Sequence, residues 1–162
     1  MSETLTFMMG DFAAEFPTDR LYAKNHMWAI PKDSQIVRFG FSAYAVRLLQ
    51  DIYFLEFGIE EQAELKSRQE FGNIESKKAE SGLYAPMTGK VVRINEQLLN
   101  DPSGINVDKY GEGWLMEMQG DASGMLSPPE YLEHLAKAWD VAQRTIKGQA
   151  NTIDSNEEQT KW

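Results

Sequence analysis

The side chains best suited to chemistry are two adjacent lysines, Lys77 and Lys78, in the run Phe71-Gly72-Asn73-Ile74-Glu75-Ser76-Lys77-Lys78-Ala79-Glu80-Ser81-Gly82-Leu83-Tyr84-Ala85-Pro86. Lysine carries a primary amine on a flexible four-carbon stem. Once deprotonated the amine is a nucleophile, so a lysine displayed in the open is an attachment point. The two neighbouring charges disfavour each other, and Glu75 acts in the opposite sense. Flanking residues predict how the pair is held. Phe71 and Ile74 lead in, Leu83 and Tyr84 lead out, and Pro86 ends the return, with the polar, small-residue segment Glu75 to Gly82 between them. That is the pattern of a β-hairpin with lysine at its tip. By spacing alone, paired surface lysines are ordinary solvated charges.

No second site competes with this one. Cysteine is absent, so there is no disulfide, thiolate metal site or cysteine nucleophile, and any sulfur redox chemistry must come from a bound cofactor. No Ser-His-Asp or carboxylate-pair motif is present, and neither catalytic nor metal-ligating residues are predicted. His26, beside Met27 and Trp28, reads as a structural hydrogen-bonder. His134 reads as a solvent-facing helix residue. Gly111-x-Gly113 is too short for a phosphate-binding fingerprint and precedes a strand, which makes it a tight turn. The eight methionines read as core filler.

The elements that position the lysines come next. The chain has 162 residues, 42% of them hydrophobic, a length and composition suited to one folded domain. Residues 1–20 read as an extended arm packed on that domain, residues 21–147 as the domain including a C-terminal helix, and residues 148–162 as a polar tail. Trp28 to Ile30 and Gln35 to Phe41 predict a hairpin turned at Pro31 to Ser34. Ser42 is the expected N-cap of a short helix bearing Ala45, Leu48 and Leu49. Ile52 to Phe57 predicts a largely buried strand, Lys90 to Ile94 another, and Asn100 to Gly104 a loop. Trp114 to Met118 predicts a last strand with Trp114, Met116 and Met118 on one face. Ser127-Pro128-Pro129-Glu130 has the form of a capping box. After it, Tyr131, Leu135, Trp139, Ala142 and Ile146 recur at helical spacing up to a stop at Gly148, an apolar stripe expected to pack on the domain, with cover for a partner surface as the alternative. Many short strands separated by turns predict a small barrel or sandwich.

The net charge of −9 argues against non-specific nucleic-acid binding, because a phosphate backbone would be repelled. It suits both solubility and encounter with basic partner surfaces. No run approaches the roughly 20 apolar residues of a membrane helix. Glu3 and Asp11 stand where a signal peptide needs positive charge, and the Arg-rich, acid-poor composition of a transit peptide is missing. A cytoplasmic location with no membrane partner is expected.

Four motifs in order carry a family resemblance. Glu75-Ser76-Lys77-Lys78-Ala79, followed by Leu83-Tyr84-Ala85-Pro86 and Gly89, resembles the lipoylation site of glycine cleavage system H proteins. Tyr22 to Trp28, Gly40 to Ala45 and Tyr110 to Leu115 match the same family, and together the matches span roughly residues 21–135. The resemblance implies a mainly β (α+β) fold, the barrel-sandwich hybrid of lipoyl domains with a short internal helix and a long C-terminal helix. It implies lipoic acid in amide linkage to Lys78, with Glu75, Ser76 and Ala79 as the attachment context, and a non-catalytic carrier rather than an enzyme. It also implies a lipoate-protein ligase or a lipoyl/octanoyl transferase as a partner.

Two pathways fit such a carrier. One is glycine cleavage, with glycine decarboxylase, aminomethyltransferase and dihydrolipoyl dehydrogenase. The other is a heterodisulfide-reductase-like sulfur-oxidising complex. The residues Phe7-Met8-Met9-Gly10 and Pro17 to Tyr22, together with the long final helix, resemble the lipoate-binding paralogues of the second. Met27 replaces the usual Glu of a His-Glu-Trp motif, and Lys77 replaces a small apolar residue. These departures tilt the sequence reading towards sulfur oxidation. Biotin carriers display a similar lysine hairpin, but theirs lies between methionines. An unmodified H-like binding module or lipoyl relay stays open.

Overall fold

Strands and helices form where the chain alternates and end where turn residues interrupt it. The structure, a computed structural model, describes residues 3–147, so Gly148 and the tail 148–162 lie outside the described residues, as does the side chain of Ile146. The chain begins with a hairpin, β1 (Thr4–Met9) and β2 (Phe12–Pro17), in which Met9 faces Phe12 across the two-residue turn Gly10-Asp11. Gly10 has φ of 63°, a value glycine adopts without strain. Next come β3 (Leu21–Tyr22), β4 (Met27–Pro31), β5 (Ile36–Phe41), α1 (Ala43–Leu49), β6 (Ile52–Phe57) and β7 (Glu64–Leu65). The lysine hairpin is β8 (Glu70–Ser76) and β9 (Glu80–Tyr84). After it come β10 (Gly89–Ile94), α2 (Glu96–Asn100), α3 (Gly104–Val107), β11 (Met116–Gln119) and α4 (Pro128–Lys147).

Two sheets bury their facing sides against each other. One has the order β3-β4-β5-β11-β10-β7 and the other β6-β8-β9. Between them lie Val37, Phe39, Phe41, Leu55, Ile74, Leu83, Val91, Met116 and Met118 in one core cluster. A second cluster of Phe16, Tyr22, Trp28, Tyr44, Tyr131 and Leu135 joins the β1–β2 hairpin, α1 and α4 to the larger sheet. In that cluster Tyr22 and Tyr131 stack at 4.5 Å. The arm is therefore a docked β-hairpin. No helix among the described residues is long and apolar enough to cross a membrane.

Several local expectations are met and others are corrected. The capping box closes reciprocally: Ser127 N–H donates to Glu130 Oε1 at 2.8 Å, and Glu130 N–H donates to Ser127 Oγ at 3.3 Å. Tyr131, Leu135 and Ala142 are buried, so the stripe on α4 packs on the domain. Ser42 occupies the N-cap position of α1 but makes no capping bond. Its Oγ lies 2.8 Å from Tyr131 Oη instead. The last strand begins at Met116 rather than Trp114, whose indole lies beneath Arg38 at 4.4 Å and Arg93 at 5.1 Å. The loop at Asn100 to Gly104 is flanked by α2 and α3, two short helices that the sequence reading left out. The strand expected to be largely buried, β6, is not. A bulge between Ile52 and Phe54 turns Tyr53 and Phe54 outward, leaving them 59% and 39% exposed.

The two histidines lie together. His26 is buried with Nδ1 3.0 Å from Tyr131 Oη, the structural role expected. His134 was expected to face solvent. It is half-buried, its Nε2–H donates to the Lys24 carbonyl at 2.9 Å, and its ring stacks 5.5 Å from that of His26. Burial, with Lys24 and Lys137 nearby, holds its pKa below the usual 6.5 even though the Lys24 carbonyl pulls the other way. The unfolded chain thus binds a proton below that value which the folded chain refuses, and stability is lost as pH falls. The melting temperature should drop more steeply from pH 7.5 to 5.5 in the wild type than in His134→Gln.

Candidate functional site: the lysine turn

Antiparallel pairing in the lysine hairpin runs to Glu75 opposite Glu80, with Ile74 opposite Ser81. The tip is therefore narrower than the Glu75 to Gly82 segment read from the sequence, and only Lys77, Lys78 and Ala79 lie between the strands. Ile74 and Leu83, both at 0% exposure, anchor the two strands in the core. Alternation then places Ser76 inward and Glu75 on the outer side, half-buried.

Each motif residue has a distinct position. Ser76 is buried at 4% exposure. Its Oγ accepts the amide N–H of Ala79 at 3.1 Å and of Lys78 at 3.3 Å, and its hydroxyl donates to the Ala79 carbonyl at 3.2 Å. Its own N–H reaches the same carbonyl at 2.8 Å. Ala79 is half-buried and packs against the main core. Lys77 and Lys78 are exposed. Their amides also tie the tip to the end of α1: Lys77 N–H donates to the Asp51 carbonyl at 2.8 Å and Lys78 N–H to the Leu49 carbonyl at 3.3 Å. The backbone is pinned from two directions, and neither amine has a hydrogen-bond or ion-pair partner among the described residues. These residues fit a group carried in amide linkage, because every bond holding the turn uses main-chain atoms or Ser76 and none uses a lysine Nζ.

Ser76→Ala removes the acceptor of two tip amides and should cost about 1–2 kcal/mol. Urea unfolding measures that loss, and hydrogen exchange should show faster opening confined to Lys78 and Ala79. The support from Leu49 and Asp51 was not anticipated. It runs through backbone groups and leaves no side-chain signature.

A groove of about 780 Å³ lies at the opposite end of β9, lined by Lys24, Asn25, Arg68, Tyr84, Met125 and His134 among others. Asn25 Nδ2 donates to the Tyr84 carbonyl at 2.8 Å, and its Oδ1 is buried without a partner among the described residues.

The family model described as glycine cleavage H-protein matches residues 20–147. The chain belongs to that family. Among its relatives, the glycine cleavage system H protein of Mycolicibacterium gilvum is 39% identical over 112 residues, covering 69% of this chain and 85% of the relative. A probable glycine cleavage system H protein of Natronomonas pharaonis is 40% identical over 126 residues, covering 75% and 98%. The crystal structure of a glycine cleavage system H protein from Mycobacterium marinum has a TM-score of 0.67 at 33% identity, covering 75% of this chain and 99% of that one.

The expected fold class, a lipoyl-domain barrel-sandwich with a C-terminal helix, is thereby established. As an H protein the chain is a non-catalytic carrier whose cofactor is lipoic acid, covalently attached to a lysine. The family match begins at Arg20 and leaves the β1–β2 hairpin outside it. Met27 is completely buried in the main core.

Proposed function

We propose that Lys78 is the lipoylated residue and that the chain carries lipoyl-bound groups in glycine decarboxylation, meeting glycine decarboxylase, aminomethyltransferase and dihydrolipoyl dehydrogenase in turn. The observation that carries the site is the pinned turn, in which Lys78 is exposed and precedes the inward-packed Ala79. The bound group supplies two sulfurs that pass between disulfide and dithiol, chemistry this cysteine-free chain lacks. The chain contributes a rigid pedestal, and tethering raises the group's effective concentration at each partner. A cytoplasmic setting belongs to the same proposal.

The names of the relatives support glycine cleavage over the sulfur-oxidising complex favoured by the sequence reading. One observation keeps the latter as a second reading. The β1–β2 hairpin lies outside the family match, so it adds surface that the family model does not cover.

The lipoylated protein, offered as sole carrier to purified glycine decarboxylase with glycine, should release up to one CO2 per lipoyl group. No release from a decarboxylase that turns over on a reference H protein would overturn the glycine reading. Reduction or reoxidation of the carrier only by a heterodisulfide-reductase-like complex would select the second.

A further inference from the structure

Five large apolar side chains are exposed among the described residues: Met8, Tyr53, Phe54, Leu99 and Val107. Isolated exposed apolar residues are ordinary, but a cluster marks an interaction site. Four of the five gather around one strand. Tyr53 and Phe54 are turned out by the bulge in β6. Leu99 belongs to α2, which packs on β6. Val107, 83% exposed, ends α3, and the preceding residue Asn106 fastens that helix to the start of β6. Asn106 Oδ1 accepts Ile52 N–H at 2.9 Å, and its Nδ2 donates to the Gln50 carbonyl at 2.8 Å.

This strand adjoins the lysine turn. It is the edge neighbour of β8, with Phe54 opposite Glu75. Tyr53 follows by two residues Asp51, whose carbonyl holds the Lys77 amide. Exposed acids lie on this side of the sheet beside the two lysines of the turn: Asp51 just before β6, Glu56 on β6 and Glu80 at the start of β9. A partner matching this surface has an apolar depression with a Lys/Arg rim, since complementary charge sets orientation and speeds encounter.

We infer that the surface formed by Tyr53, Phe54, Leu99 and Val107 docks the enzyme that acylates Lys78. The inference rests on the Lys78 reading above. Acylation joins Nζ to the acyl carbonyl carbon. With a ligase that uses lipoic acid and ATP, the carboxylate first displaces pyrophosphate from ATP to give the acyl adenylate; Nζ then attacks its carbonyl carbon, the bond to AMP breaks, AMP leaves, and Nζ gives up its proton to solvent. The reacting nitrogen is only about 6 Å from its own backbone, four carbons and one nitrogen away. The enzyme's catalytic atoms must come that close to the turn, so the two protein surfaces flanking it meet. Enzymes that act later work at the far end of an added arm and can stand off from this surface. Aromatic anchors beside the reacting residue therefore serve the acylating enzyme most directly.

The test measures initial rates of mass gain with purified unmodified protein, a lipoate-protein ligase, lipoic acid and ATP. The variants are Tyr53→Ser with Phe54→Ser, Val107→Glu on its own, and Met8→Ser as a remote control. The double variant should raise KM for the carrier about tenfold and leave kcat within about twofold. Val107→Glu should shift KM in the same direction, and Met8→Ser should leave it unchanged. The wild-type KM should also rise with salt as the acidic rim is screened. A double variant and a Val107→Glu that are both acylated with the wild-type KM would overturn the inference, as would an unchanged acylation KM with a raised KM for glycine decarboxylase. A wild-type protein that gains no mass at all would instead remove the Lys78 reading itself. The two failures are thus distinguishable.

Discussion

Replacing Lys78 with arginine should abolish lipoylation while leaving the melting temperature within about 2 °C of wild type. Arginine keeps the charge and most of the length, but its guanidinium does not deprotonate near neutral pH and cannot form the amide. The side chain at 78 is exposed, and surface substitutions away from structural contacts generally change stability by less than about 0.5 kcal/mol. The bonds that hold the turn involve the Lys78 main chain and Ser76, and arginine retains them. Lys77→Arg should still be modified at position 78. Intact mass and peptide fragmentation read both outcomes. A label on Lys77 would shift the attachment register by one, and a large drop in melting temperature for Lys78→Arg would contradict the exposed placement of its side chain.

The second large effect is structural. Gly40 pairs with Trp28 across β4 and β5, and the Trp28 ring lies directly over it. A Cβ at position 40 would stand 2.5 Å from Trp28 Cε2 and Cζ2 and 2.7 Å from Nε1. The ring has little room to yield. It is 1% exposed, and its Nε1–H donates to the Lys109 carbonyl at 2.8 Å. Gly40→Val should therefore displace the indole, break that bond and unseat the cluster that joins α1 and α4 to the larger sheet, at a cost of at least about 3 kcal/mol. For a chain of this size that corresponds to a fall of roughly 6–12 °C in melting temperature. Gly124→Ala meets nothing within 4 Å and should be near neutral by the same measurement. Equal melting temperatures for the two variants would contradict the packing at Trp28.

Legibility in the sequence followed physical rules. The lysine hairpin could be read because Phe71, Ile74, Leu83 and Tyr84 bracket a polar segment, and the start of α4 because the Ser127 and Glu130 capping pair acts locally. The stripe on α4 was visible from its period. Other features depend on chain brought in from a distance. The tip is held by carbonyls of Leu49 and Asp51, and backbone atoms are the same in every sequence. His134 reads as solvent-facing because its own helix does not show that the Lys24 carbonyl folds over it. The exposure of Tyr53 and Phe54 comes from a one-residue bulge, and composition alone predicts burial for that strand. One missed element did have a signal. Gly10-Asp11 is a two-residue hairpin turn between alternating segments, and it marks the first twenty residues as a hairpin rather than a single extended arm.

The central claim is that this carrier bears its cofactor on Lys78. It is tested most directly on protein purified from its native host, by intact mass followed by peptide fragmentation. A lipoyl-sized addition localised to Lys78 is the predicted result. An unmodified Lys78 from cells in which other lipoyl proteins are loaded, or an addition localised to another lysine, would contradict it.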